Sequence, residues 1–341
     1  MSFTEPVQTE DSRFLYEKID HLLDRQADTS DSHDIIREMI FMAVGLSHDG
    51  IGQNDIKTLY ASFREMKHAF DFFSPFTNIK KVSVFGSART PSTEAVYAHA
   101  DDFSRKMTRA GFMVMTGAGD GIMRAVQGGA GREKSFGLNI ILPFEQAANE
   151  FIENDPKLIT FKYFFTRKLF FVKEANALAF FPGGFGTHDE GFETLTLLQT
   201  GKCNPAPVVF IDAPGGSHWK DWLSYVNDRL LAKELISPDD MRLFKITDNI
   251  TDAVYEITHF YENYHSMQFI NGDTIIYFKK TLTSEHLEQL NDLFSDIIVK
   301  GKIAQILPKD AMPQISFQFN RRNFGRLREV INAINDGATQ A

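Results

Sequence analysis

The sequence contains one cysteine, no excess of basic residues and no long apolar run, and each absence excludes a class of protein. With Cys203 alone among 341 residues, no disulfide can form within the chain, which is typical of a reducing compartment. The net charge of −9 argues against an extended binding surface for nucleic acid or anionic membranes. No stretch approaches the roughly 18 apolar residues of a membrane span. The acidic N-terminus does not resemble a signal peptide, so we expect a cytoplasmic protein without nucleic-acid or membrane partners.

Several familiar site motifs are also missing. No glycine turn is followed by Lys and then Ser or Thr, as a P-loop requires, and the turn 117–121 reads G-x-G-x-G rather than the G-x-G-x-x-G of NAD-binding folds. His188 lies among acidic residues but has no second His or Cys nearby. We therefore expect no metal site, and we expect Cys203 to be an inert thiol because no base is predicted beside it.

Hydrophobic periodicity divides the chain into three regions. Residues 1–78 have apolar residues at helical spacing, with Ser32 and Asn54 placed as N-caps, and predict a helical extension. Residues 79–264 alternate short apolar strands with amphipathic helices, which predicts an α/β domain with a doubly wound, mostly parallel, Rossmann-like sheet. Within it, "TFKYFFTRKLFFVKEA" (160–175) is interpreted as one helix and "HDEGFETLTLLQTG" as another. Residues 265–341 predict a small α+β appendage of order β-α-β-β-α.

Three predicted strands end in polar, glycine-rich turns: "FGSAR" (85–89), "TGAGDGIM" (116–123) and "PGGFGT" (182–187). Any tight strand-to-helix connection can use glycine, so a single turn of this kind has a purely structural explanation. Three turns at the same edge of one parallel sheet favour a site for a nucleotide or sugar phosphate, because helix N-termini offer free N–H groups there.

Two charged residues near these turns favour chemistry over simple solvation. Arg167 follows Thr166 near a predicted helix start, where a guanidinium can hold a phosphate with two hydrogen bonds, whereas Lys168 is simply explained as a solvated charge. Asp189 and Glu190 follow the third turn, and helix capping explains Asp189 well. A carboxylate at Glu190 would face the phosphate site, where it could stabilise an oxocarbenium-like transition state or activate a water.

The stretch "PGGFGTHDE" resembles the P-G-G-x-G-T-x-x-E signature of the Lonely Guy family, and "TRK" matches the family's Arg-Lys pair. "VFGSAR", "TGAGDGIMRAV", "GLNIILPFEQ" and "LLQTGK" are similar to further family motifs in the same order, so the resemblance spans about residues 80–262. The regions before and after it resemble the extensions of longer bacterial members. The family was once labelled lysine decarboxylase, but no lysine here has a recognisable pyridoxal phosphate setting.

The resemblance implies hydrolysis of the N-glycosidic bond of a nucleoside 5′-monophosphate, AMP-like or a cytokinin ribotide, to free base and ribose 5-phosphate, without a cofactor. It implies Arg167 and Glu190 as catalytic residues. The implied substrate- and phosphate-binding residues are Ser87, Gly117, Gly119, Gly121, Met123, Lys168, Gly183, Gly184, Gly186, Thr187 and Glu193. It also implies a homodimer or higher homo-oligomer with the site near the interface. The alternative is a nucleotide-binding sensor or carrier module that does not cleave its ligand.

Four residues depart from the family pattern, namely Ala118, Arg124, His188 and Gly191. We expect the methyl group of Ala118 to narrow the approach to the ligand and the charge of Arg124 to change the base or phosphate preference. A C-terminal cluster, which comprises Arg321, Arg322, Arg326 and Arg328, predicts either a solvated helix start with subunit salt bridges or a site for a polyphosphorylated effector.

Overall fold

A computed structural model describes residues 10–24, 32–47, 49–143, 147–309 and 311–337. The chain divides after Met66 into two compact units. The first contains helices α1 (Glu10–Asp24) and α2 (His33–Gly45) and most of α3 (Gln53–Phe73). Within it, the rings of Tyr16 and Phe41 stack with their centroids 4.4 Å apart, and the Tyr16 hydroxyl donates a hydrogen bond to Glu38.

The second unit is built around a parallel sheet, which confirms the predicted α/β fold. The described strands of this sheet are β1 (Lys81–Phe85), β2 (Met113–Thr116), β3 (Ser135–Ile140), β4 (Leu158–Phe161), β5 (Ala177–Phe180), β6 (Val208–Ile211) and β7 (Lys245–Thr247). Their order across the sheet is β4-β3-β2-β1-β5-β6-β7, and every pairing is parallel. Strands β1, β2, β5 and β6 are buried on both faces, so β5 and β6 are entirely apolar and β1 and β2 are mostly apolar rather than alternating. The polar residues of β1 and β2, which are Lys81, Ser83 and Thr116, are buried as well.

The helices between these strands are α4 (Ala95–Arg109), α5 (Ile122–Ala130), α6 (Phe164–Lys173), α7 (Phe185–Gln199), α8 (His218–Tyr225) and α9 (Ile250–Phe260). Their buried side chains lie on one stripe, as in α4, where Val96, Ala100, Phe103 and Met107 pack into the core. Aromatic rings fill much of this core, and the Phe85, Phe180 and Phe210 rings stack at centroid distances of 5.0 Å.

The interpretation of residues 160–175 as one helix is wrong at its beginning. Residues 158–161 form strand β4, which pairs with β3, and the helix begins only at Phe164. Ile159 and Phe161 are buried while Thr160 between them is exposed, so the segment has the period of two that a strand requires. Helix α7 in turn begins at Phe185, three residues earlier than predicted, so that part of the third glycine turn is its first turn.

The C-terminal region forms an antiparallel sheet of order β10-β11-β9-β8. Its elements are β8 (Tyr264–Ile270), β9 (Asp273–Phe278), α10 (Ser284–Leu293), β10 (Ala304–Ile306), β11 (Gln314–Phe317) and α11 (Phe324–Gly337). The predicted order lacked β8, because its mixture of polar and apolar residues gives little hydrophobic periodicity. In the structure β8 pairs with β9 as a hairpin that turns at Asn271 and Gly272, both with positive φ. Buried residues of this sheet and of α11 continue the hydrophobic core of the parallel sheet.

Two predicted N-caps behave differently in the structure. Ser32 precedes α2 but its side chain makes no capping hydrogen bond, and Asn54 lies inside the first turn of α3 rather than before it. None of the helices in the described ranges is long and apolar enough to cross a membrane.

Candidate functional site

A cavity of about 970 Å³ opens at the carboxyl ends of β1 and β5. These two strands are neighbours at the centre of the sheet, but the chain continues from β1 towards β4 on one side and from β5 towards β7 on the other. The connections that leave the two strands therefore diverge and leave a crevice between them, which is where doubly wound sheets bind their ligands. The turn after β1, the start of α6 and the first turn of α7 form its walls.

Hydrogen bonds through Ser87 hold the three glycine turns together. The Ser87 N–H donates to the Pro182 carbonyl oxygen at 3.1 Å, and the Ser87 carbonyl oxygen accepts from the Ile122 N–H at 3.0 Å. The residue thus connects the turn after β1 to the turns after β2 and β5.

Two glycines are required by this close approach. Gly121 has a φ of +64°, and a Cβ atom there would collide with the Ser87 carbonyl oxygen. A Cβ atom at Gly183 would collide with the Thr187 side chain. Neither glycine lines the cavity, so both shape the site by allowing its walls to approach each other.

The first turn of α7 presents backbone donors to the cavity. Gly184, Phe185, Gly186 and Thr187 all line it, and a Cβ atom at Gly184 or Gly186 would meet no atom within 4 Å. The N–H groups at a helix start have no carbonyl partner within the helix, and the helix dipole adds a partial positive charge there. This turn is therefore suited to an anion.

Arg167 reaches the cavity from α6 between two aromatic rings. Its guanidinium carbon lies 5.0 Å from the centroid of the Phe164 ring and 5.6 Å from that of Phe171. Its Nε atom is buried without a hydrogen-bond partner. Burial lowers the pKa of Arg167, and the negative charge of Glu190 opposes that shift. A desolvated guanidinium with an unpaired N–H gains a strong hydrogen bond when an anion enters the cavity.

Glu190 is the buried carboxyl group of the cavity. Its side chain lies in the second turn of α7 and is only 5% exposed, and its Oε2 atom has no hydrogen-bond partner. Burial raises its pKa to about 7, and the charges of Lys168 and Arg167 limit the rise. A carboxyl group with such a pKa exchanges protons near neutrality, as a general acid or base must.

Lys168 links the two helices that carry these residues. Its Nζ atom lies 3.0 Å from Asp189 Oδ2 and 2.6 Å from Glu193 Oε2, and it does not line the cavity. The Lys168 cation thus connects α6 to α7 through ion pairs with Asp189, which precedes Glu190, and Glu193, which follows it. Neither Lys168 nor Glu193 is therefore positioned by the structure to touch a ligand in the cavity.

The structure brings most of the sequence-predicted site residues to one place. Those that line the cavity are Ser87, Gly117, Met123, Arg167, Gly184, Gly186, Thr187 and Glu190. Those that lie outside its wall are Gly119, Gly121, Lys168, Gly183 and Glu193. The motif stretch "GLNIILPFEQ" ends in residues 144–146, which lie outside the described residues.

Four polar residues that line the cavity were not predicted as site residues, namely Arg89, Asn139, His188 and Asp189. Arg89 follows Ser87 in the first turn, and no ion pair holds its exposed guanidinium within the described part of the chain. Asn139 is the amide residue of the mostly apolar strand β3, and an amide near the end of such a strand is the signal that could have revealed it. Arg89 and Asn139 both add hydrogen-bond donors to the cavity.

The four departures from the family pattern have different surroundings. Ala118 has a φ of +64° and is fully buried, and its methyl group lies near Gly137 of β3 rather than in the cavity wall, so it does not narrow the approach to the ligand. Arg124 is paired with Glu150 outside the cavity wall, with its Nε 3.0 Å from Oε1. Gly191 packs α7 against Phe210. Only His188 lines the cavity.

Three of the four C-terminal arginines have different partners in the structure. Arg326 binds Asp296 and Glu329, and Arg328 is buried with its guanidinium paired to Glu256 and placed 4.1 Å from the Phe260 ring centroid. Arg321 lies over the Phe269 ring. The predicted cluster is thus dispersed over separate partners of the same chain.

Burial raises the pKa of Cys203 to about 11, which agrees with an inert thiol.

Comparisons with known proteins identify a family for part of the chain. Residues 120–257 match the family described as "Possible lysine decarboxylase", which is the family of the Lonely Guy proteins, so the resemblance found in the sequence is confirmed. None of the curated proteins matches the chain.

Three solved structures are similar to about half of the chain, each with a TM-score below 0.5. The structural-genomics target TM1055 has 23% identity and a TM-score of 0.37, and the match covers 52% of this chain and 96% of that one. The molybdenum cofactor carrier protein from Chlamydomonas reinhardtii has 16% identity and a TM-score of 0.36, over 52% and 94% of the two chains. The molybdenum cofactor binding protein from Rippkaea orientalis has 18% identity and a TM-score of 0.33, over 52% and 92%.

Proposed function

Because residues 120–257 form a domain of the Lonely Guy family, we propose that the protein hydrolyses the N-glycosidic bond of a nucleoside 5′-monophosphate. The products are the free base and ribose 5-phosphate. The observation that carries the proposal is the pair of Arg167 and Glu190 in one cavity at the switch point of the sheet. Glu190 is buried, Arg167 is half-buried, and each has a buried polar atom without a hydrogen-bond partner.

The phosphate of the substrate binds at the first turn of α7 in this proposal. The N–H groups of Gly184, Phe185 and Gly186, the helix dipole and the nearby guanidiniums of Arg89 and Arg167 all favour a dianion. Phosphate binding far from the reacting bond contributes to catalysis because it fixes the ribose in the cavity.

Glu190 then acts on the ribose carbon C1′. Its ionised carboxylate accepts a proton from the attacking water and stabilises the positive charge that develops on the sugar. Its pKa of about 7 means that the ionised form is well populated at neutral pH while the group remains a useful base. Arg167 orients the substrate and keeps part of Glu190 ionised through its charge.

The chemistry suggested by the family description is less well supported. A pyridoxal-dependent decarboxylase holds its cofactor through a lysine amine. No lysine is found among the described residues that line the cavity, and Lys168 is engaged with two carboxylates. The side chains present therefore do not fit pyridoxal phosphate.

A direct test is to incubate the protein with a panel of purine and pyrimidine nucleoside 5′-monophosphates and to quantify free base by chromatography. Glu190→Gln and Arg167→Met are each expected to lower kcat by ~10²-fold or more. Arg124→Met is the matched control, since it removes a guanidinium outside the cavity wall. If one nucleotide binds tightly to the unmodified protein but no base is released from any of them, the protein is a non-catalytic nucleotide-binding module instead.

The proposal includes a homodimer or higher homo-oligomer with the site near the interface. It is supported by apolar side chains exposed around the cavity: Phe164 and Phe165 on α6 are each more than half exposed, and Phe185 on α7 is 96% exposed. Large exposed aromatic groups that lie together favour a protein contact. Light scattering coupled to size-exclusion chromatography tests this, and a monomer at micromolar concentration would contradict it.

A further inference from the structure

His188 is the histidine that lines the cavity, in the first turn of α7 and two residues before Glu190. Its ring packs edge-on against His218 with centroids 5.5 Å apart, and it lies 5.3 Å from the Trp219 ring. Trp219 is fully buried, and its backbone N–H donates a hydrogen bond to the buried Asp212 carboxylate at 2.9 Å. The imidazole of His188 is thus held against a rigid wall formed by α8.

The hydrogen bonding of the ring determines which nitrogen is available for chemistry. Nδ1 of His188 lies 3.1 Å from the Gly184 carbonyl oxygen. Because a carbonyl oxygen can only accept a hydrogen bond, Nδ1 carries a hydrogen in both charge states of the ring. Nε2 makes no hydrogen bond to any described residue and is not enclosed. Only Nε2 can therefore gain or lose a proton in exchange with a ligand.

The other ionisable groups of the cavity are not available as the proton donor in the proposed reaction. The two arginines there do not release their protons, and Asp189 is paired with Lys168 at 3.0 Å. Glu190 accepts the proton of the attacking water in the proposed reaction. The charged or titratable groups that surround His188 are thus Arg89 from the first turn, Arg167 from α6, His218 from α8, and Asp189 and Glu190 from α7.

We propose, as an extension that rests on the proposed hydrolysis, that His188 is the general acid that protonates the departing base through Nε2. The water oxygen bonds to C1′ while its proton passes to the Glu190 carboxylate. The bond between C1′ and the base nitrogen breaks, and its electron pair stays with the base. A ring nitrogen of the base takes the proton from Nε2, so the base leaves neutral and His188 becomes neutral. Solvent then returns a proton to His188 and removes one from Glu190.

This role defines a substrate class. Ordinary purine and pyrimidine bases are poor leaving groups unless they are protonated, so the acid matters most for their nucleotides. A base that already carries a positive charge, such as 7-methylguanine in its nucleotide or nicotinamide in nicotinamide mononucleotide, leaves neutral without a proton. The site is therefore adapted to nucleotides of uncharged bases.

The experiment compares His188→Leu with the unmodified protein on GMP, AMP, 7-methyl-GMP and nicotinamide mononucleotide. We expect kcat to fall by ~10²-fold or more for AMP and GMP. For the two cationic substrates, the fold loss in kcat should be at least about ten times smaller. His188→Gln keeps a polar side chain but cannot transfer a proton, so it is expected to show the same selective loss. His265→Leu, at an exposed position of β8, is the matched control and should keep all four rates.

The possible results separate the two proposals. Equal losses for charged and uncharged bases in both His188 variants, or no loss in either, overturn the role of His188 while leaving the hydrolysis intact. Absence of base release by the unmodified protein with every nucleotide overturns the hydrolysis itself, and the role of His188 with it. Circular dichroism of each variant distinguishes a lost acid from a lost fold.

Discussion

Replacing Glu190 by glutamine is expected to stabilise the fold at alkaline pH, although it removes the proposed catalytic group. Burial raises the pKa of this carboxyl group from 4.5 to about 7. Below pH 4.5 it is protonated in both the folded and the unfolded chain, so its ionisation does not affect stability there. As the pH rises towards 7, the unfolded chain releases a proton that the folded chain retains, and stability falls. Above pH 7 the folded chain bears the full free-energy cost of ionising the buried carboxyl group.

The difference between the ordinary pKa of 4.5 and the folded value of about 7 corresponds to roughly 3 kcal/mol. Glutamine has nearly the same shape but no charge, so it avoids this penalty. We expect Glu190→Gln to unfold with a free energy up to roughly 3 kcal/mol higher than the unmodified protein near pH 8, and within about 1 kcal/mol of it near pH 5.

Urea unfolding at both pH values, followed by tryptophan fluorescence, measures this difference. Trp219 and Trp222 are the two tryptophans of the chain, and both pack against Phe210 beside α7, so they report on the domain that contains Glu190. Glu133→Gln makes the same change at an exposed position and should alter the free energy by less than about 0.5 kcal/mol at either pH. A Glu190→Gln protein that is less stable near pH 8, or a difference independent of pH, would refute the reasoning.

Three further substitutions test the site. Lys168→Met removes a cation that lowers the pKa of Glu190, so that pKa should rise and the pH profile of kcat/KM should move to higher pH. An unmoved midpoint of the profile would contradict an effect of Lys168 on the ionisation of Glu190. Gly186→Ala places its methyl group in open space within a helix, so thermal unfolding should show a stability that is unchanged or up to ~1 kcal/mol higher. The same methyl group should raise KM, because the substrate phosphate approaches that backbone in the proposed complex. An unchanged KM would place the phosphate elsewhere. Gly183→Ala forces its Cβ onto Thr187, so both the melting temperature and substrate affinity should fall, and a protein that kept both would show that the turn can relax.

Much of the fold could be predicted because its pattern is local. Strands β5 and β6 are short apolar runs bounded by polar turns, and β1 and β2 are mostly apolar. The amphipathic stripe of α4 repeats at helical spacing. The elements that sequence reasoning missed or misplaced carry weak local patterns. Strand β4 has four residues directly before a helix rich in phenylalanine, and β8 mixes polar and apolar residues because one of its faces is exposed.

The motifs around Arg167 and Glu190 also determined the candidate catalytic pair, since their residue types and order along the chain resemble those of a known family. Spacing alone could not separate the residues that touch the cavity from those that support it. Gly121 and Gly183 lie in the same motifs as cavity residues, but their role is to let two segments of backbone approach, which depends on contacts between distant parts of the chain.

The charged residues illustrate what only the tertiary structure decided. Lys168 follows Arg167 directly, yet a turn of about 100° per residue in a helix directs one side chain into the cavity and the other towards Asp189 and Glu193. The sequence by itself determined the parallel α/β fold and the presence of a carboxylate and a guanidinium near glycine turns, because these follow from periodicity and residue type. Burial raises the pKa of Glu190 and leaves Arg167 without a partner, and burial arises only when α6 and α7 pack together.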